Sequence, residues 1–217
     1  MNVVNRTIAN VITVFTRVLT GARARWIGCA PEDVKRVYFA NHASHADFAL
    51  LWASLPPRLR VKTRPVAGAD YWLKGGLRSY LIQRVLNGVL VARSPKDHPE
   101  HDSTKPLVAA LDAGDSLILF PEGTRNCTGE CLLPFKSGIF HLAAQRPEVE
   151  LVPVWMDNPG RVLPKGESVP LPVLCTVSFG TPLRIHPDET KFAFIDRARR
   201  ALLELSAAVN ASQEVSV

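Results

Sequence analysis

Short apolar runs recur along this chain with stretches of helical character between them, and that alternation leaves few folds open. Val37-Tyr38-Phe39-Ala40, Val89-Leu90-Val91, Ser116-Leu117-Ile118-Leu119-Phe120 and residues 151–155 and 174–179 read as strands. Between them, residues 48–55, 71–86, 104–113, 139–144 and 192–208 read as helices, several closed by Pro or Gly: Pro56-Pro57 after the first, Gly114 after the third. Strands alternating with helices predict an α/β domain, a central sheet covered by helices. The Pro- and Gly-containing stretch 158–172 is expected to be a surface loop, and no repeat or linker interrupts the pattern.

The length of 217 residues fits one domain with a substantial core, and 47% apolar against 21% charged residues is a globular balance. No run reaches the roughly 18 apolar residues needed to cross a bilayer as a clean helix. The formal net charge of +6 predicts attraction to something anionic, without choosing among nucleic acid, phospholipid headgroups and phosphorylated cofactors. The cations are unevenly placed. Arg6, Arg17, Arg23 and Arg25 precede the first acidic residue, Glu32, and Arg58 to Lys96 is a second basic stretch broken only by Asp70. The cysteines at 29, 127, 131 and 175 form no disulfide framework, and Cys127 and Cys131 have no second pair to complete a zinc site.

The N-terminus reads as an amphipathic helix, with Val4, Ile8, Val11, Ile12, Phe15, Val18 and Leu19 at helical spacing. Asn10, Thr13, Thr16 and Arg17 interrupt it too often for a signal peptide, although Ala22-Arg23-Ala24 resembles a cleavage site. A basic helix with no acid suits the plane of an anionic membrane surface; a helix packed on the domain is the other reading.

Three segments carry chemistry. In Asn41-His42-Ala43-Ser44-His45-Ala46-Asp47, a strand gives way to a helix, where α/β sheets usually bind ligands. His42 and Asp47 would diverge on one regular helix, so a close pair requires His42 in the loop and Asp47 in the first helical turn. Such a carboxylate fixes the imidazole tautomer and stabilises the imidazolium formed when the other nitrogen takes a proton. The rival reading is a metal site built from His42, His45 and Asp47, as in a metal-dependent hydrolase. The second segment is Phe120-Pro121-Glu122-Gly123-Thr124-Arg125. Gly123 allows close backbone approach, Thr124 offers a hydroxyl and Arg125 a planar fork for phosphate. Glu122 would repel phosphate, so it is expected to accept from a hydroxyl or to hold Arg125. The third, Phe135-Lys136-Ser137-Gly138, sets a cation beside a Gly at a helix N-terminus, which favours anions.

In this order, and with Val152-Pro153-Val154 after them, these segments resemble the glycerolipid acyltransferases, above all the bacterial 1-acylglycerol-3-phosphate and related lysophospholipid acyltransferases. The resemblance spans about residues 35 to 180. It implies one α/β domain with a mixed sheet, residues 26–217, behind a membrane-associating helix over residues 1–25. It also implies His42 as general base, Asp47 as its orienting partner, and Glu122, Gly123, Thr124, Arg125 and Lys136 around the acceptor. Gly88-Val89-Leu90-Val91-Ala92-Arg93 is similar to the family's intermediate block, which gives Arg93 a place at the acceptor phosphate. Ala92 stands where many relatives have Asp, and Asn126 where many have Ser.

The reaction so implied moves a fatty acyl group from acyl-CoA or acyl-carrier protein to the free hydroxyl of a lysophospholipid, 1-acylglycerol-3-phosphate giving phosphatidic acid; a lyso-aminolipid acceptor is the alternative. The expected partners are the lysophospholipid, the acyl carrier as co-substrate and an anionic membrane surface. No nucleic acid, metal or further cofactor is expected. The expected location is cytoplasmic, peripherally associated with the inner face of a bacterial cell membrane. A covalent acyl-enzyme through Ser44 or a cysteine is conceivable, but no Gly-x-Ser-x-Gly elbow is present, so direct transfer is preferred.

Overall fold

Strand β2 (Arg36–Ala40) is buried along its whole length. Successive side chains of a strand point to opposite faces. Val37 and Phe39 accordingly enter one apolar cluster, and Tyr38 and Ala40 the other. A strand that is apolar on both faces must lie inside a sheet with a layer over each face, and β2 does. The structure, a computed structural model, describes residues 2–44, 46–92, 104–157 and 174–214.

The remaining strands are β1 (Arg23–Trp26), β3 (Thr63–Gly68), β4 (Val89–Val91), β5 (Ser116–Leu119), β6 (Glu150–Met156) and β7 (Thr176–Phe179), in the order β1-β7-β6-β2-β5-β3-β4. All neighbouring pairs are parallel except β6 with β7. The sheet is therefore mixed, as expected. One face is covered by α1 (Val3–Thr20), α2 (Asp47–Ser54) and a π-helical turn, Leu81–Val85, which bring Ala9, Leu50, Leu51, Ile82 and Val85 against Tyr38, Ile118 and Phe179. The other is covered by α6 (Lys105–Asp112), α7 (Gly138–Gln145) and α8 (Lys191–Glu214), through residues such as Leu111, Ile139, Phe194 and Leu202. Short helices α3 (Pro57–Arg60), α4 (Ala69–Trp72) and α5 (Gly76–Tyr80) link the elements between β2 and β4.

Several expectations change. The helix expected over 71–86 is broken into α4, α5 and the π turn, because the chain is extended at Gly75 (φ −165°, ψ 140°). β3 was not expected, since Arg64, Pro65 and Gly68 depress strand character. Pro65 is tolerated because β3 changes partner there: Thr63 to Pro65 pair with β5, and Val66 to Gly68 with β4. Residues 23–25, grouped with the N-terminal helix in the sequence, belong to edge strand β1, paired with β7. The stretch 158–172 lies outside the described residues.

Helix α1 has apolar residues on both its inner and its outer side. Asn2 caps its start, Asn5 N–H donating to Asn2 Oδ1 at 2.8 Å, and Gly21 at φ +52° ends it. Its fully buried positions are polar or small, Asn5, Ala9, Thr13 and Thr20, while Ile8, Ile12 and Leu19 are half-buried against the core. The expected stripe is therefore divided: Val4, Val11, Phe15 and Val18, joined by Val3 and Val14, form an exposed apolar stripe, from 60% at Phe15 to 79% at Val18. No helix among the described residues is long and apolar enough to cross a membrane.

Candidate active site

Phe39 of β2 lies in register with Leu119 of β5, and the two strands are parallel. The loops that follow them, 41–47 and 120–125, therefore emerge side by side at the same edge of the sheet. Asn41 holds the first loop in place by imitating backbone: its side-chain amide donates to Met156 O at 3.0 Å and its Oδ1 accepts from Met156 N–H at 2.9 Å. The two loops are then tied directly to each other. His42 N–H donates to Glu122 Oε1 at 2.8 Å, and Asn126 N–H donates to His42 O at 2.6 Å.

Asp47 opens α2 and is fully buried. Its Oδ2 accepts from the Ala43 and Ser44 amides at 2.7 and 2.8 Å and lies 2.8 Å from His42 Nδ1. A carboxylate can only accept at that contact, so Nδ1 carries the proton and the Nε2 lone pair is left to accept one. The imidazole is stacked on Phe120, with ring centroids 4.3 Å apart and planes at 18°, and keeps 16% of its side chain exposed. His42 is thus in the loop and Asp47 in the first helical turn, folded back together as their spacing requires.

A cavity of about 620 Å³ opens beside this pair. One wall is apolar and aromatic: Phe48, Tyr71, Trp72 and Ile82, with Trp72 edge-on to Phe48 at 5.4 Å. The other carries Gly123, Thr124, Arg125 and Lys136 and runs onto the N-terminus of α7. None of the described lining residues is acidic, and among the described residues neither Arg125 nor Lys136 has a carboxylate partner. Gly123 has φ +70°, and a Cβ there would stand 3.1 Å from Lys136 Cγ, so glycine both makes the turn and leaves room for the lysine.

Glu122, expected around the acceptor, points into the protein instead. It is 1% exposed, and its second oxygen accepts from Leu133 N–H at 2.9 Å. Burial pushes its carboxyl above the usual range, against the two amides that hold it down. Neither expected role fits: it ties the His42 loop to the segment leading into Lys136. Arg93 and His45 lie outside the described residues; Ala92, before Arg93, lines the cavity. Among the described residues no three His, Cys, Asp or Glu side chains gather as a metal site. Sequence reasoning missed the aromatic wall and the stacking role of Phe120, and only the apolar character of these residues hinted at either.

A family model described as Acyltransferase matches residues 28–157, from before β2 to the end of β6. The chain belongs to the acyltransferase family. Among its relatives, the 1-acyl-sn-glycerol-3-phosphate acyltransferase of Cocos nucifera is 30% identical over 175 residues, 76% of this chain and 54% of that one. The protein of the same description from Limnanthes alba is 32% identical over 155 residues, 69% of this chain and 50% of its own. The human alpha form is 29% identical over 210 residues, covering 93% and 70%. The chain spans about half the length of the first two. Its fold is that of the crystal structure of the 1-acyl-sn-glycerophosphate (LPA) acyltransferase from Thermotoga maritima, with a TM-score of 0.70 at 19% identity over 94% of this chain and 80% of that one. The matched family segment contains every site residue placed above.

Proposed function

We propose that this acyltransferase transfers a fatty acyl group from a thioester, acyl-CoA or acyl-carrier protein, to the free hydroxyl of 1-acylglycerol-3-phosphate, giving phosphatidic acid. The observation that carries the reading is the buried Asp47 braced against His42 Nδ1 at the wall of a cavity whose only described fixed charges are Arg125 and Lys136. The acceptor phosphate is held between those cations and the N-terminus of α7, and its hydroxyl is presented to His42 Nε2. The imidazole takes the hydroxyl proton as the oxygen attacks the thioester carbonyl. The carbon–sulfur bond then breaks, the acyl ester forms and the proton passes to the departing thiolate. Positioned general-base catalysis of this kind contributes roughly 10²- to 10⁴-fold. The aromatic wall of Phe48, Tyr71 and Trp72 suits an acyl chain.

Direct transfer is favoured over an acyl-enzyme by what surrounds the other nucleophiles. Ser44 is buried, its Oγ accepts from Ala46 N–H at 3.2 Å, and no cysteine is among the described lining residues. Peripheral membrane attachment through the exposed stripe of α1 is part of the same proposal: Arg6 and Arg17 flank the stripe and the helix has no acidic residue. The test is purified protein incubated with a panel of lysophospholipids and lyso-aminolipids, with acyl-CoA and acyl-carrier protein as donors, scored by lipid mass spectrometry. Phosphatidic acid as the dominant product supports the proposal; acylation of an acceptor without a phosphomonoester, with none on 1-acylglycerol-3-phosphate, contradicts it.

A further inference from the structure

Helices α4 and α5 contain no buried residue, yet they carry Trp72, Leu77 and Tyr80, and Leu73 follows α4 directly. Leu73 is 51% and Leu77 73% exposed. Where the two helices meet, a Cβ added at Gly75 or Gly76 would have no neighbour within 4 Å, and Gly76 is exposed. Lys74 and Arg78 flank the leucines, and the Arg78 guanidinium lies 4.8 Å from the centre of the Tyr71 ring. The segment carries one acid, Asp70, at its start, and its exposed leucines lie among cations; an apolar patch exposed to water is costly unless something covers it.

Its neighbours identify the cover. Tyr71 and Trp72, at the root of the segment, line the apolar wall of the cavity. At the other root, Tyr80 Oη donates to Asn5 Oδ1 of α1 at 2.6 Å, which locks the segment to the helix that exposes an apolar stripe of its own. We propose that the α4–α5 segment is a second membrane-inserting element: Leu73 and Leu77 enter the acyl region of an anionic bilayer, and Lys74 and Arg78 meet its headgroups. Placed so, the aromatic wall of the cavity opens at the bilayer surface, and a lipid acceptor reaches His42 without leaving the membrane. The bilayer is preferred to a protein partner because both exposed surfaces pair apolar residues with cations, the pattern of interfacial anchoring. This inference rests on the acyltransferase reading of the cavity, with a lipid acceptor.

The experiment compares the wild type with Leu73→Glu/Leu77→Glu in two arms. In the first, co-sedimentation with vesicles of phosphatidylcholine and phosphatidylglycerol is measured at low and high salt. In the second, acylation is measured with a long-chain acceptor embedded in those vesicles and with a short-chain, water-soluble lysophosphatidate. The double variant is expected to bind vesicles about tenfold or more weakly and to lose turnover on the embedded acceptor to a similar degree, while turnover on the soluble acceptor is unchanged. Wild-type-like vesicle binding overturns the inference, and so does an equal loss on both acceptors, which would make the leucines part of the cavity. A wild-type dimer that the double variant dissolves, with vesicle binding intact, overturns it in favour of a second copy of the chain. Failure of the wild type to acylate even the soluble acceptor refutes the proposed activity instead, and the vesicle arm still decides whether the segment inserts.

Discussion

The Asp47 carboxylate receives two backbone amides and one imidazole on a single oxygen, so its orientation is set before any substrate arrives. Glu122 extends the same logic one layer out. Each of its oxygens accepts one amide, from His42 on one side and Leu133 on the other. Glu122→Gln would turn one acceptor into a donor facing an N–H, and a mismatch at a buried site costs roughly 1–3 kcal/mol. The variant is therefore expected to unfold at lower urea concentration and to lose kcat through the displaced His42 loop, with the acceptor KM little changed. A large rise in KM with kcat intact would return Glu122 to the role of acceptor ligand. The sequence could not separate these roles. It shows a carboxylate next to a glycine turn, but not that the side chain faces inward, because that depends on amides from residues 42 and 133, far apart in the chain.

Helix α2 places Asp47 at its first turn, where the positive end of the helix dipole favours a carboxylate, and its other end is closed by two guanidinium groups. Arg60, 8% exposed, donates to Trp52 O at 3.1 Å and Leu55 O at 2.8 Å, and Arg17 of α1 donates to Ala53 O at 2.9 Å. Burial, and then the charge of Arg17, pull the Arg60 pKa below its usual value. Arg60→Met removes the described donor to Leu55 O and leaves Trp52 O only the Leu55 N–H at 3.3 Å, and it is expected to cost about 1–3 kcal/mol in urea unfolding, with Lys a poor substitute because it lacks the fork. A stability within experimental error of the wild type would refute this capping role. At this scale the sequence was readable wherever burial is symmetrical. β2, β5 and β6 are apolar on both faces and stood out as runs, whereas β1, with Arg23 and Arg25 exposed at the sheet edge, and β3, with its proline at a change of partner, did not.

For the molecule as a whole, the alternation of runs and helices settled the α/β class, and motif order placed the site at one sheet edge. Which face of α1 meets water was not legible, because a periodic apolar stripe looks the same whether it faces a core or a bilayer. The closed core has a measurable signature in alkali. Burial pushes Cys175 from 9.0 up to about 11, helped by the charges of Asp157 and Asp47, and pushes Tyr38 up to about 12. The unfolded chain releases the Cys175 proton first, so between pH 9 and about 11 the folded state binds more protons and stability falls as pH rises. The loss on this account is on the order of 2 kcal/mol. Urea unfolding across that window should show the decline, and Cys175→Ala should flatten it; an unchanged slope in the variant would refute the assignment.

His42 is where these scales meet, since loop, helix and sheet edge all serve to hold its Nε2 free beside the cavity. The direct measurement is kcat for acyl transfer to 1-acylglycerol-3-phosphate by His42→Ala, with circular dichroism and urea unfolding recorded on the same preparation. The expected result is a loss of at least about 10²-fold in kcat with the fold and its stability retained. Turnover near that of the wild type, or an acyl group found covalently attached to the variant protein, would contradict direct transfer with His42 as the base.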